Sequence, residues 1–348
     1  MTNKPIDQRR RDLVGTTVGA ITLGALPGVV RAQARRAPLS PAVKVKLGII
    51  RSLYDVGSLI ADAKGYFREE GVELELATFP SAADSTQALS IGAIDALASS
   101  PSATIFNSRQ RGIDMTIVAG AGQHSPGHGV ISIVLRKDLV EGKRYRTAAD
   151  LKGMKLATGV TSASHFLAVE YSRAAGLNEK DVEYVALGFG NLIAAMNNKA
   201  VDGGCINEPQ ATLMIERANG VRIVSSDRMK PNFPFGYLMY GTLLQKKNPD
   251  AGRRYMLAYL RGLRDYRLAF GPEKKDTADM IGILKKYDVI VTPAMPSLGL
   301  SEDGSPSFEK IGDFLEWHRS NGALRSIPDP KSVFDDSFRQ YALAQMKA

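Results

Sequence analysis

The sequence predicts an α/β protein of two lobes, each a mainly parallel sheet flanked by helices. Its 348 residues exceed the size at which a single core stops growing, about 250 to 300 residues. Strand patterns alternate with helix patterns, the rhythm of a parallel sheet. The third observation is an internal echo. Ala88 to Pro101 reads ALSIGAIDALASSP and Ala195 to Pro209 reads AMNNKAVDGGCINEP, with Asp95 and Asp202 107 residues apart. In both copies a helix end turns through Gly-Ala-Ile-Asp or Lys-Ala-Val-Asp into a small-residue strand, which stops at a polar loop closed by proline. Upstream, Val45-Lys46-Leu47-Gly48 answers Met154-Lys155-Leu156-Ala157, and Phe67 to Leu74 loosely answers Ser172 to Val182. Two similar βαβαβ halves facing each other across a cleft are expected.

The N-terminus reads as an address rather than part of that fold. Arg9-Arg10-Arg11-Asp12-Leu13-Val14 resembles the twin-arginine export signal, an apolar stretch from Val14 to Val30 follows, and Ala32-Gln33-Ala34 offers a cleavage site. Gly15, Gly19, Gly24, Pro27 and Gly28 break that stretch, which falls short of the roughly 20 apolar residues of a membrane span. A signal peptide over residues 1–34 implies export to the periplasm. Its removal leaves 314 residues and takes away five basic and two acidic side chains, lowering the formal charge from +9 to +6. The remaining positive charge is scattered, without the basic, aromatic-interleaved stripe that nucleic-acid binding requires. It favours encounter with anionic small molecules. Cys205 is the only cysteine, so no intramolecular disulfide forms and stability must come from apolar burial.

Residues 35–42 are a basic, proline-containing lead-in. Val43 to Ile50 alternates apolar and basic residues before ending in LGII, a strand entering a buried sheet. Ser58 offers an N-cap for a helix from Leu59 to Glu70, and Gly71 its stop. Val72 to Phe79 alternates cleanly, a second strand. Pro80-Ser81 turns into a helix from Ala83 to Ile91, and Ile94 to Ala98 is the third strand. A helix from Thr104 to Arg111 and strands at Met115 to Ala119 and Val130 to Leu135 follow, the last at a crossing to the second lobe. The rhythm restarts with a short helix at Ala148 to Lys152, strand Lys155 to Thr158, helix Ser164 to Ala175, strand Val182 to Ala186, helix Leu192 to Asn198 and strand Gly203 to Ile206. Helix Pro209 to Arg217 and strand Val221 to Val224 complete this half. Pro231, Pro234 and Gly236 mark the crossing back, with Tyr237 to Gly241 a strand of lobe one. Helices at Asp250 to Phe270, Lys274 to Tyr287 and Ser307 to Ser320 close the chain. Lobe one thus comprises residues 35–135 and 237–348, and lobe two residues 136–236.

In a parallel α/β sheet the ligand crevice lies beyond the carboxyl ends of the strands. Lobe one delivers there Ser52, Tyr54, Asp55, Ser81, Ser99, Ser100 and Ser102. Lobe two delivers Thr161, Ser162, Ser164, Phe189, Gly190, Asn191, Asn207 and Glu208. Thr161-Ser162-Ala163-Ser164 stands just ahead of a helix, where hydroxyls and free N–H groups meet the positive end of the dipole. Two roles are open for these residues: helix caps, or donors to an anion. The loop QHSPGHG carries His124 and His128 without acidic or cysteine partners, too few for a zinc site. His124 is expected near the ligand instead. No G-x-S-x-G elbow, phosphate loop or dinucleotide fingerprint occurs.

The segments AKGYFREEGVELEL (63–76), ALSIGAIDALASSP (88–101), DLKGMKLATG (150–159) and AVDGGCINEP (200–209) together resemble the periplasmic substrate-binding proteins of importers for nitrate, sulfonates, taurine and thiamine precursors, over about residues 43–270. The resemblance implies a two-lobed periplasmic-binding-protein fold with two hinge strands, closing by hinge motion and delivering ligand to an ATP-driven membrane permease. It places ligand positions at Ser52, Tyr54, Ser81, Ser99, Ser102, Ser162, Ser164 and Glu208. One enzyme branch of this fold, which makes the thiamine pyrimidine, carries a cysteine-rich cluster that this chain lacks. The expectation is therefore a monomeric solute receptor, not an enzyme, needing no cofactor or metal. Its ligand is a small organic anion, a sulfonate or carboxylate, with Tyr54, Phe189, Phe235 or Tyr237 stacking an aromatic part. Glu208 would repel such an anion unless it turns away or pairs with Arg51 or an incoming amine. The alternatives are a thiamine-pyrimidine-like ligand held by Glu208 and Asp55, and a sensor that signals instead of feeding a permease.

Overall fold

The computed structural model describes residues 37–187 and 189–347, so the expected signal peptide lies outside the described residues. β1 (Val43–Ile49) runs parallel to β2 (Val72–Thr78) and to β3 (Ala96–Ser99). α1 (Val56–Ala63) and α2 (Tyr66–Glu69) join the first two strands, α3 (Ala82–Ser90) leads to β3, and α4 (Ala103–Asn107) leads to β4 (Thr116–Gly120). The second half contains β5 (Ile131–Arg136), α5 (Lys137–Glu141), β6 (Lys155–Thr158), α6 (Ala163–Ala174), β7 (Glu183–Ala186), α7 (Phe189–Asn197), β8 (Gly203–Asn207), α8 (Gln210–Arg217), β9 (Gly220–Ser225) and α9 (Ser226–Met229). β10 (Tyr237–Tyr240) then returns to the first half, followed by α10 (Pro249–Phe270), α11 (Thr277–Lys286), α12 (Ile311–Ser320) and α13 (Ser337–Lys347).

The two sheets have matching orders, β2-β1-β3-β10-β4 and β7-β6-β8-β5-β9. In each, the fourth strand comes from across the crossing and runs antiparallel to both neighbours. The echoed aspartates explain why the halves match. The Lys46 N–H donates to Asp95 Oδ2 at 2.8 Å, and the Lys155 N–H donates to Asp202 Oδ2 at 2.8 Å. Each aspartate N–H donates back to the same lysine's carbonyl, also at 2.8 Å. A carboxylate at the foot of a short strand thus satisfies an N–H that the ladder leaves unpaired. Lys46 and Lys155 then reach across to Glu75 and Glu183, at 3.6 and 2.9 Å.

The crossing segments pair with each other. The Ala121 N–H donates to Gly236 O at 2.8 Å, and His124 and Phe233 are joined by an N–H to carbonyl bond of 2.9 Å. β5 lies wholly in the second sheet, in register from Ile131 opposite Asn207 to Leu135 opposite Gly203. Residues 131–135 therefore pack with the second half, and the crossing falls earlier than the sequence pattern places it. In the C-terminal segment, α12 packs its Phe314 against Phe166 of α6, with ring centroids 5.3 Å apart.

Local differences have local causes. The helix expected from Leu59 to Glu70 starts earlier, after a 3-10 turn (Leu53–Asp55) capped by Ser52, and breaks at Gly65, whose φ of 76° lies in the left-handed region. Ser58 is buried and bonds the Tyr255 hydroxyl at 2.9 Å instead of capping. α10 docks on α1 through two glycines: a Cβ on Gly262 would stand 2.1 Å from Gly57 O. Arg254 of α10 is buried and donates to Glu70 at 2.7 Å.

Candidate functional site

A cavity of about 280 Å³ lies between the two sheets, at the strand ends. Ile50, Tyr54, Ala82 and Ser100 line it from the first half, and Gly159, Ser162, Ser164, Ile206, Asn207 and Gln210 from the second. A larger compartment of about 590 Å³ adjoins it, with Ala82, Ser100 and Ser162 in the shared wall. None of the described residues lining the inner cavity is charged; the outer one includes Asp84 and His318.

The donors come from the start of α6. Ser162 occupies the N-cap position in extended backbone but its side chain makes no cap bond. Its Oγ lies 2.8 Å from Ser164 Oγ, which lies 3.1 Å from Thr158 Oγ1. The N–H groups of Ala163, Ser164 and His165 have no acceptor among the described residues. Hydroxyls and unpaired N–H groups therefore converge where the dipole is positive, worth about 0.3 to 1 kcal/mol to an anion before hydrogen bonds are counted. Gly159 sits close beneath: a Cβ there would lie 3.0 Å from Ser162 Oγ. Across the cavity, Tyr54 stacks on Phe235 with centroids 4.1 Å apart, and Asn207 Nδ2 donates to the Tyr54 hydroxyl at 3.2 Å. That hydrogen bond joins the two halves directly. Burial raises the Tyr54 phenol, keeping it neutral.

The other expected residues separate into three groups. Ser52, Ser81 and Ser102 cap the Leu53–Asp55 turn, α3 and α4 through their side chains, and Ser99 is tied into β3 opposite Tyr237. Of these, Ser99 and Ser102 still line the outer compartment, as does Thr161. Asn191 is exposed on α7 and lines neither cavity, and the side chain of Phe189 lies outside the described residues. The third group turns inward. Asp55 is 2% exposed and accepts from the Ile50 and Ser52 N–H groups at 3.2 and 3.0 Å; burial pushes its carboxyl up to about 7. Glu208 pairs with Arg222 and accepts the Thr212 N–H at 3.0 Å, with burial raising its carboxyl. It does not line the cavity, and its partner is Arg222 rather than Arg51. His124 is wholly buried in the crossing, its Nδ1 2.8 Å from Ser226 Oγ, and burial lowers it to about 3. Neither it nor Glu208 lines the cavity.

Gln210 was not anticipated, although it opens α8 directly after the Glu-Pro turn. Ile50 and Ile206 also line the inner cavity, apolar strand-end residues with no polar signal in the sequence. Among the described residues no group of three or more His, Cys, Asp or Glu side chains is arranged to hold a metal.

The sequence model of the family described as NMT1/THI5 like matches residues 53–268. The chain belongs to that family. A Brucella abortus protein named as a binding protein is 22% identical over 309 residues, covering 85% of this chain and 91% of its own. The nitrate-binding protein NrtA of Synechocystis superposes with a TM-score of 0.68 at 18% identity, over 89% of this chain and 90% of its own. The aliphatic sulphonate-binding protein SsuA of Escherichia coli gives 0.66 at 18% identity, over 84% and 92%. The desulfurization enzyme DszB also has this fold, with a TM-score of 0.62 at 12% identity, over 87% and 99%. NMT1/THI5-like membership and these likenesses place the chain in the fold of periplasmic binding proteins. Among the described residues no helix is long and apolar enough to cross a membrane.

Proposed function

We propose that this chain is the periplasmic solute receptor of an ABC importer, taking a small organic anion, a sulfonate or carboxylate, between its lobes and passing it to a membrane permease. The observation that carries the reading is the start of α6: Ser162, Ala163 and Ser164 line a cavity without a carboxylate in its wall, and the first N–H groups of the helix have no acceptor among the described residues. Glu208, the one residue that argued against an anion, is neutralised by Arg222 outside the cavity. Nitrate-binding and sulphonate-binding proteins share the fold. Two joined compartments of about 280 and 590 Å³ match the roughly 300 to 1,000 Å³ of small-molecule sites and exceed what nitrate fills. The apolar floor of Ile50, Ile206 and the Tyr54 ring suits a hydrocarbon or aromatic tail.

A nitrogenous ligand loses its expected partners, since Asp55 and Glu208 both bond inward. Nucleophilic catalysis by a thiol finds no support: Cys205, the one cysteine, is fully buried in β8 and lines neither cavity, and burial raises its thiol well above the ordinary range. A thermal-shift screen of arenesulfonates, alkanesulfonates, benzoate, nitrate and aminopyrimidines tests the reading. At 100 times its Kd a true ligand adds about 2.7 kcal/mol of stability. Stabilisation by aminopyrimidines alone, or turnover of any sulfonate or sulfinate, contradicts it.

A further inference from the structure

Beyond residue 298 the chain leaves lobe one, crosses to lobe two and comes back. Gly299 O accepts from the Gln123 N–H and Gly304 O from the Gly120 N–H, both at 2.9 Å, so the segment runs along the first crossing. Ser307 Oγ donates to Asn232 O of the second crossing at 2.9 Å. α12 then lies on lobe two. Asp313 meets Lys230 at 2.7 Å, and the same ammonium contacts Glu170 of α6 at 2.8 Å. The Trp317 indole N–H donates to Glu179 at 3.0 Å. After α12 the chain is back on lobe one: Asn107 of α4 donates to Ala323 O at 3.4 Å, and Phe334 bridges Ile117 in β4.

We propose that residues 299–334 form a third tether between the lobes, and that α12 must leave α6 before the cleft can open fully. A helix fixed at both ends to lobe one and docked by its middle on lobe two cannot follow both when they part. Phe314 and Trp317 are almost wholly buried in the contact, at 0% and 3% exposure, so separation exposes apolar surface to water. The tether also shapes the site, because His318 and Ala323 stand in the wall of the outer compartment together with Thr161 and Ser162. Coupling to cleft opening rests on the binding-protein reading; the docking itself does not.

Trp317 is the only tryptophan and reports the contact without any ligand. The test is acrylamide quenching of its fluorescence, together with the radius of gyration from solution scattering, in the wild type and in an Asp313→Ala/Phe314→Ala variant. The expected result is a shielded tryptophan in the wild type. In the variant, quenching rises several-fold and the radius of gyration grows while the far-UV circular dichroism is unchanged. Glu179→Gln, which leaves the aromatic packing in place, is the second variant and should raise quenching by a smaller factor. Trp317 equally shielded in both variants overturns the tether, and so does exposure of Trp317 without growth of the radius of gyration. None of these measurements uses a ligand, so their failure leaves the anion reading standing, and failure of every anion to bind leaves the tether standing.

Discussion

Ser162 and Ser164 test the site most locally, because neither is spent on capping a helix in the way Ser52, Ser81 and Ser102 are. Replacing Ser162 with alanine should weaken anion binding by about 1.5 to 3 kcal/mol, the worth of a hydrogen bond to a charged group, with the melting midpoint of the free protein nearly unchanged. Calorimetric titration reads the first and a thermal melt the second. Two buried titratable groups give stability opposite dependences on pH. The Asp55 carboxyl is raised from 3.8 to about 7 by burial. The folded state holds its proton more tightly, so this contribution is complete below the unfolded value and lost as pH rises through 7. His124 is lowered from 6.5 to about 3 by burial, so its contribution is present above 6.5 and lost as pH falls toward 3. Asp55→Asn should therefore gain on the wild type in melting midpoint between pH 4 and 7. A constant difference across that range would contradict the assignment.

Among the elements, the strands were legible from alternation and from the echo, since Asp95 and Asp202 do the same job in both sheets. Helix starts were less so. Ser58 looked like a cap because nothing local shows that its hydroxyl is claimed by Tyr255, 197 residues away. Glu208 looked like a ligand-facing acid for the same reason: its partner, Arg222, sits in β9 and is brought beside it only by the fold. Removing that partner with Arg222→Ala should cost about 3 kcal/mol, because the carboxylate is left buried without a counter-charge; chemical denaturation measures it. The contact of α1 with α10 depends on Gly57 and Gly262. Gly262→Ala forces the helices apart and should cost about 1 to 3 kcal/mol, the range for overpacking. Cys205 in β8 should resist thiol reagents in the native protein and react only as fast as the chain unfolds.

The described residues form two matched five-stranded sheets that exchange one strand each, with the cavity at the exchange and α12 beside it. The architecture was readable because repetition and alternation are properties of the sequence itself. The third connection was not, because residues 299–334 carry no periodicity that distinguishes docking on one lobe from docking on the other. The cavity wall was half readable: strand-end position put Tyr54, Ser162, Ser164 and Asn207 on it, while hydrogen bonding inside the fold keeps Asp55, His124 and Glu208 off it. What remains is a cleft whose inner wall offers an anion neutral donors and a helix terminus instead of a fixed cation. The most direct measurement is calorimetric titration of benzenesulfonate into the wild type and into Ser162→Ala/Ser164→Ala. Saturable binding by the wild type that falls at least about tenfold in the variant, equivalent to about 1.4 kcal/mol, is the predicted result. Binding of equal strength in both, or no binding while an aminopyrimidine binds, would contradict the assignment of the cleft to an anion.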